Sequence, residues 1–188
     1  KDLKNERVNK RPLFEAQQIK RGRITTADGV LIAQSVGSGR GASRQYVRRY
    51  PEGTLYGHPI GYSFAEQGNS EFEASHNDEL IGEGSEFTSI LDELRGRKQE
   101  GNNIRTNIDS VAQQTAVDLL AGRPGAVIAM VPSTGEVKAM VSEPPYDPNT
   151  IPDDLGPLSN TPGSPLLDRA SQGQYPPGST FKLVTATA

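Results

Sequence analysis

Tyr175-Pro176-Pro177-Gly178-Ser179-Thr180-Phe181-Lys182 sets a serine and a lysine three residues apart, directly after a helix-stopping Pro-Pro-Gly and directly before an apolar run. If a helix starts at or beside Ser179, positions i and i+3 share a face and the Lys182 amine approaches the Ser179 hydroxyl. A serine hydroxyl is a weak nucleophile at neutral pH and needs a neighbouring base to take its proton as it attacks a carbonyl. Lysine serves as that base when desolvation or nearby positive potential favours its neutral amine, and a helix N-terminus in a cleft supplies some of each. The same N-terminus turns free backbone N–H groups outward, where they can hold the oxyanion of a tetrahedral intermediate. Acyl transfer is the reaction class this fits. S-x-x-K alone has two fixed positions and arises by chance in many chains, so its weight comes from the flanks. Pro-Pro-Gly fixes where the helix begins, and Phe181, Leu183 and Val184 are expected to form its buried side.

Working outward, the composition narrows the function classes. The chain has 188 residues, and its formal charge of -3 comes from 20 basic and 23 acidic side chains mixed along it. That mixture offers no basic face for a phosphate backbone, so nucleic acid is not expected as a partner. No run approaches the roughly 18 to 20 apolar residues that span a bilayer, and the N-terminus lacks the apolar core of a signal peptide. Gly 20 and Pro 14 imply many turns and irregular connections. Without cysteine, disulfides and thiolate ligands are excluded. The two histidines, His58 and His76, read as surface or packing residues, so no metal or cofactor is expected. Lys1, Lys4, Arg7, Lys10 and Arg11 make the first twelve residues a basic arm, read as solvated or as a stalk beside a membrane.

Residues 21–35 read as a β-hairpin whose Asp28-Gly29 suits a type I′ turn. Residues 37–41 form a Gly-rich loop that lacks the Lys-Ser/Thr of a phosphate-binding loop. A strand is expected over 44–49, a second short strand over 58–62, and helices over 75–81 and 85–95. A boundary falls at Gly101-Asn102-Asn103. Beyond it come a strand over 103–108, a helix capped by Asp109 or Ser110 and ending near Gly122, and two strands, 126–131 and 136–141, around Ser133-Thr134-Gly135. Six prolines make 143–163 a long ordered loop rather than a third strand. The fold class is therefore α+β, in two regions, 1–103 and 104–188.

Taken in order, these segments resemble the first part of a class B high-molecular-weight penicillin-binding protein. Arg21-Gly22-Arg23-Ile24 before Asp28-Gly29 resembles that family's opening R-G-x-I hairpin. Arg49-Tyr50-Pro51-Glu52-Gly53 with Ile60-Gly61-Tyr62 resembles its later pedestal motif. Thr106-Asn107-Ile108-Asp109 with Gln113 is similar to T-x-I-D-x-x-x-Q. Residues 134–140 and Tyr146-Asp147-Pro148-Asn149 are similar to the hairpin and loop ahead of the nucleophile.

The resemblance implies an extended, strand-rich pedestal over 1–103 and the beginning of an α/β penicillin-binding transpeptidase domain over 104–188. It implies Ser179 as the acylated nucleophile and Lys182 as the proton acceptor. The implied activity is peptidoglycan D,D-transpeptidation, with stem peptides or a lipid-linked precursor as substrate, β-lactams as covalent inhibitors and no cofactor. Cell-division or elongation proteins are implied partners, and the implied location is the outer face of a bacterial membrane, held by an N-terminal transmembrane helix absent from these residues. Asp168-Arg169-Ala170 stands where the family often shows Asn-Arg. The family's S-x-N and K-T-G motifs lie well downstream of the nucleophile and do not occur between Ser179 and Ala188, so the chain is expected to be a fragment, inactive alone. A β-lactam sensor or β-lactamase would share the Ser-Lys helix without the long pedestal. The alternative outside enzymes is a scaffold that docks wall-synthesis or division proteins through the pedestal.

Overall fold

The computed structural model describes residues 18–40, 44–82 and 100–187. Within them the N-terminal region is a four-stranded sheet. β1 (Ile24–Thr25) pairs antiparallel with β2 (Leu31–Ser38), which pairs antiparallel with β3 (Gln45–Arg49). The reversal between β1 and β2 is not the expected type I′ turn. Gly29 N–H donates to Thr26 O at 3.2 Å, Thr26 N–H donates to Val30 O at 3.0 Å, and Gly29 sits at φ +93°. Ala27 and Asp28 are thus the central pair, and the glycine follows them in the left-handed region, the three-residue loop with a glycine bulge.

The expected strand over 103–108 shortens to Ile104–Arg105 on the far edge of this sheet, where it runs parallel to β1 and completes the order.

The strand expected over 58–62 is helical instead. A 3₁₀ turn at Gly53–Tyr56 leads into α1 (Gly57–Ile60). Tyr56 and Ile60, four residues apart, both enter the core, a helical spacing that the short apolar run concealed. Only glycine fits at 57, because a Cβ there would lie 2.4 Å from Tyr146 O. A small hairpin follows, β4 (Ser63–Phe64) with β5 (Gly68–Asn69), and the Ile104–Arg105 strand is β6 in chain order.

The helix expected over 75–81 begins earlier and breaks in two, α2 (Glu71–Ser75) and α3 (Asn77–Ile81). Ser70 does not cap it, since its hydroxyl accepts Tyr62 N–H at 3.0 Å. At the break, the His76 ring stacks on Phe72 with centroids 3.9 Å apart. The expected basic arm and the helix over 85–95 lie outside the described residues, as does the end of the Gly-rich loop. Ile24, Ile32, Ala33, Tyr50, Tyr56, Ile60, Leu80 and Ile108 form the core under the sheet.

At one side of that core is a buried charge cluster. Glu73 is fully enclosed between two guanidinium groups. Arg48 Nε donates to Glu73 Oε1 at 2.6 Å, and Arg21 Nη2 donates to Oε2 at 3.0 Å. Tyr50 OH donates to Oε1 at 3.3 Å. The arginines reach further: Arg48 Nη1 donates to Gly22 O at 2.7 Å, and Arg21 Nη1 to Asn77 Oδ1 at 2.8 Å. Arg48 Nη2 has no partner among the described residues. One carboxylate therefore joins the chain before β1, strand β3 and helix α2.

The C-terminal region follows the expected order. Asp109 caps α4 (Ser110–Leu120) by accepting Ala112 N–H at 2.9 Å. β7 (Gly125–Met130) and β8 (Val137–Glu143) form an antiparallel hairpin, and Ala116 of α4 packs on Ala139 and Val141. The proline-rich stretch is not all loop: a 3₁₀ turn, Pro148–Thr150, enters α5 (Ile151–Ser159). Pro152 lies in the first turn, where its missing N–H costs nothing.

Glu73→Gln tests the cluster. It removes the charge between two arginines while keeping the side chain's shape, so the fold should lose about 3–5 kcal/mol in urea unfolding. A loss below about 1 kcal/mol would show that the charge is dispensable.

Candidate functional site

Ser179 lies in a 3₁₀ turn, Gly178–Phe181, and Lys182 opens α6 (Lys182–Thr187). Lys182 N–H donates to the Ser179 carbonyl, which fixes the two residues one turn apart. In 3₁₀ geometry side chains at i and i+3 eclipse, so both project from one side. The structure thus brings the two residues to one face of one turn. It does not join them by a side-chain hydrogen bond, and both are exposed. The expected burial of Phe181, Leu183 and Val184 is not met: they are 52%, 75% and 57% exposed. Their apolar side needs a facing surface, and no described element covers it. The outer face of β7 is similarly open, at Ile128 and Met130.

The chain leading into this turn is fastened to β8. Ser142 Oγ accepts Arg169 N–H at 2.9 Å and donates to Leu167 O at 3.2 Å. Between those two residues Asp168 is buried and accepts from Ala170 N–H at 2.9 Å and Ser171 Oγ–H at 2.7 Å. Asp168 thus carries a turn. Arg169 spans the loop behind, donating from Nη2 to Gly163 O at 2.5 Å. Gln172 Nε2 then reaches the N-terminal region and donates to Glu71 Oε1 at 2.8 Å. Glu71 has its carboxyl pushed up, first by burial and then by the charge of Asp168, against the Gln172 bond.

Three side chains knit the N-terminal region to the hairpin that carries this loop. Gln113 is fully buried: its Nε2 donates to Leu55 O and Met140 O, both at 2.9 Å, and its Oε1 accepts Met140 N–H at 2.9 Å. Asn149 pairs with the Tyr50 backbone as a strand would, Nδ2 donating to Tyr50 O at 2.8 Å while Oδ1 accepts Tyr50 N–H at 3.0 Å. The same Nδ2 donates to Asp147 Oδ1 at 2.8 Å. Tyr146 OH donates to Gly57 O at 2.9 Å, its ring set edge-on to His58 at 5.1 Å. Burial pushes the Tyr146 hydroxyl far up and the His58 imidazole down. Gln113 and Asn149 were visible in the sequence only as parts of motifs. The roles of Ser142, His58 and Glu71 carried no signal there, because each partner lies far along the chain. Among the described residues no group of three or more His, Cys, Asp or Glu side chains is arranged to hold a metal.

Residues 21–104 match the family described as penicillin binding protein A dimerisation domain, and residues 125–188 match the penicillin binding protein transpeptidase domain. The chain is 36% identical to the peptidoglycan D,D-transpeptidase PbpA of Mycolicibacterium smegmatis over 96% of its own length and 39% of the relative's. It is 44% identical to the peptidoglycan D,D-transpeptidase MrdA of Escherichia coli over 48% of its length and 15% of that protein. Among solved structures, penicillin-binding protein A from M. tuberculosis, as its imipenem acyl-enzyme complex, aligns with a TM-score of 0.80 at 32% identity, covering 90% of this chain and 42% of that one. The chain therefore spans about two-fifths of the mycobacterial proteins it matches.

Gln113→Ala removes the partners of three backbone groups at the joint and should cost about 2–4 kcal/mol in urea unfolding. A second test is pH. His58 titrates below its ordinary 6.5 in the fold: burial lowers it most, the bond to Pro144 O and the charge of Asp168 raise it, and Arg169 lowers it. Its contribution is fully present above 6.5 and is lost as pH falls through the depressed value. The melting temperature should drop as the pH falls from 7.5 towards 5, and His58→Gln should flatten that slope. Glu71 and Glu143, both raised, act oppositely and later, around and above 4.5.

Proposed function

The chain belongs to the penicillin-binding proteins, and on that premise we propose that the protein is a peptidoglycan D,D-transpeptidase whose nucleophile is Ser179 and whose proton acceptor is Lys182. The observation that carries this reading is the single turn that holds the two on one face. The likeness to a protein solved as a β-lactam acyl-enzyme supports it. In this reading the Ser179 Oγ attacks the carbonyl between the last two D-alanines of a stem peptide as Lys182 Nζ takes the hydroxyl proton. Backbone N–H groups at the start of the turn stabilise the oxyanion. The intermediate collapses with cleavage of the C–N bond, and Lys182 returns the proton to the departing D-alanine amine. An amine from a neighbouring strand then attacks the ester and releases Ser179. A β-lactam opens on Ser179 in the same way, but its leaving amine stays tethered and the ester persists.

Residues 1–103 serve as the pedestal in this reading, and 104–188 as the first part of the transpeptidase domain, working on the outer face of a bacterial membrane. Since Ser179 and Lys182 are exposed and not hydrogen-bonded to each other here, these 188 residues alone are not expected to acylate efficiently.

Labelling with a fluorescent penicillin tests both statements. The full-length protein should label covalently, Ser179→Ala should abolish the signal, and Lys182→Ala should slow it at least about 100-fold with an unchanged circular dichroism spectrum. Undiminished labelling of Ser179→Ala would reject the assignment of the nucleophile. Rapid Ser179-dependent labelling of the 188 residues would reject their inactivity.

A further inference from the structure

Glu71 opens α2 with φ +47°, in the left-handed region that a residue with a Cβ enters only at an energetic cost. Ala121 shares that conformation at the end of α4, where helices commonly close this way, but the start of a helix has no such reason for it. Nor is Glu71 free to relax. Phe72 packs against the N-terminal core and Glu73 is enclosed between Arg21 and Arg48, so the two residues that follow are fixed. Strain that the surroundings hold in place is found chiefly at functional sites.

From this position the Glu71 carboxyl accepts Gln172 Nε2–H at 2.8 Å across the joint, although burial and the charge of Asp168 both oppose an ionised carboxyl there. Gln172 is the last residue before the Ser179 turn whose hydrogen bonds, among the described residues, reach outside that turn. Its N–H donates to Asp168 O at 2.8 Å, and its side chain donates to Glu71. Beyond it the chain has little slack. A Cβ at Gly173 would lie 2.6 Å from both Arg169 O and Tyr175 Cε2, and Pro176 and Pro177 have fixed φ. A shift at Gln172 is therefore passed on towards Ser179. Resting on the reading of Ser179 as the nucleophile, we propose that Glu71 is a positioning residue for acylation: seated on α2, it fixes Gln172 and with it the approach of the chain to the Ser179 turn. The N-terminal region thereby contributes to the reaction a side chain that acts through Gln172 and not on the substrate.

The test is stopped-flow acylation of the full-length protein by a fluorescent penicillin at varied concentration, with a melting curve for each variant. It separates the acylation rate constant from the dissociation constant of the preceding complex. Glu71→Gly removes the carboxyl and suits a positive φ, so the melting temperature should hold or rise while the rate constant falls about three- to tenfold, the effect of one hydrogen bond, and the dissociation constant stays within about twofold. Glu71→Gln, whose Oε1 still accepts, should restore the rate constant. Gln172→Ala should match Glu71→Gly, and the double variant should be no slower than either. An unchanged rate constant in Glu71→Gly, no recovery in Glu71→Gln, or additive losses in the double variant would overturn the proposal. So would a rate loss that tracks a loss of melting temperature, the mark of a structural role alone. Labelling that survives Ser179→Ala would overturn the nucleophile and this proposal with it, whereas the preceding outcomes overturn the proposal alone.

Discussion

Glu73 between Arg21 and Arg48 is the constraint from which the N-terminal region takes its form. A buried carboxylate is costly to desolvate, and only a dense set of charged and hydrogen-bonded partners offsets that cost. Here the partners come from three separate stretches, so satisfying one side chain fixes the approach to β1, the course of β3 and the seat of α2 at once. The motif residues Arg21 and Tyr50 owe their positions to this arrangement, not to any contact with the Ser179 turn.

From that base the architecture is carried forward by side chains that imitate backbone. Asn149 satisfies Tyr50 on both its N–H and its carbonyl, and Gln113 does the same for Met140 while also reaching Leu55. A primary amide is the side chain that offers donor and acceptor in the geometry of a peptide group. The Asn149–Tyr50 pair and the Gln113–Leu55 bond join the two regions. The loop that leads to Ser179 is held by the same logic, through Ser142 and Asp168 within the C-terminal region and Gln172 across to Glu71.

Much of this was legible in the sequence. The hairpins, the cap at Asp109, the helix over 110–120 and the turn at Ser179 all follow from local chemistry: β-branched runs, a capping carboxylate, Pro-Pro-Gly before an apolar stretch. Misreadings came where local and distant information parted. Gly57–Ile60 is short enough that strand and helix periods look alike, and its helical form is settled by what Tyr56 and Ile60 pack against. The proline count over 143–163 hid α5, which takes Pro152 in its tolerant first turn and also carries Pro157 inside the helix. Ile104–Arg105 joins a strand some eighty residues earlier, a parallel pairing that no local pattern announces. The exposure of Phe181, Leu183 and Val184 is of another kind: an apolar pattern states that a face seeks a partner, not which surface supplies it.

The double pairing of Asn149 has a consequence for the protein's chemical ageing. Its Nδ2 faces two oxygens, Tyr50 O and Asp147 Oδ1. Hydrolysis of that one amide to a carboxylate exchanges the donor for an anionic oxygen and sets it against both, one of them itself an anion. A lesion of a single dalton, silent in most surface asparagines, would here turn a paired side-chain link across the joint into a repulsion, and prolonged warm storage would loosen the molecule from that point outward.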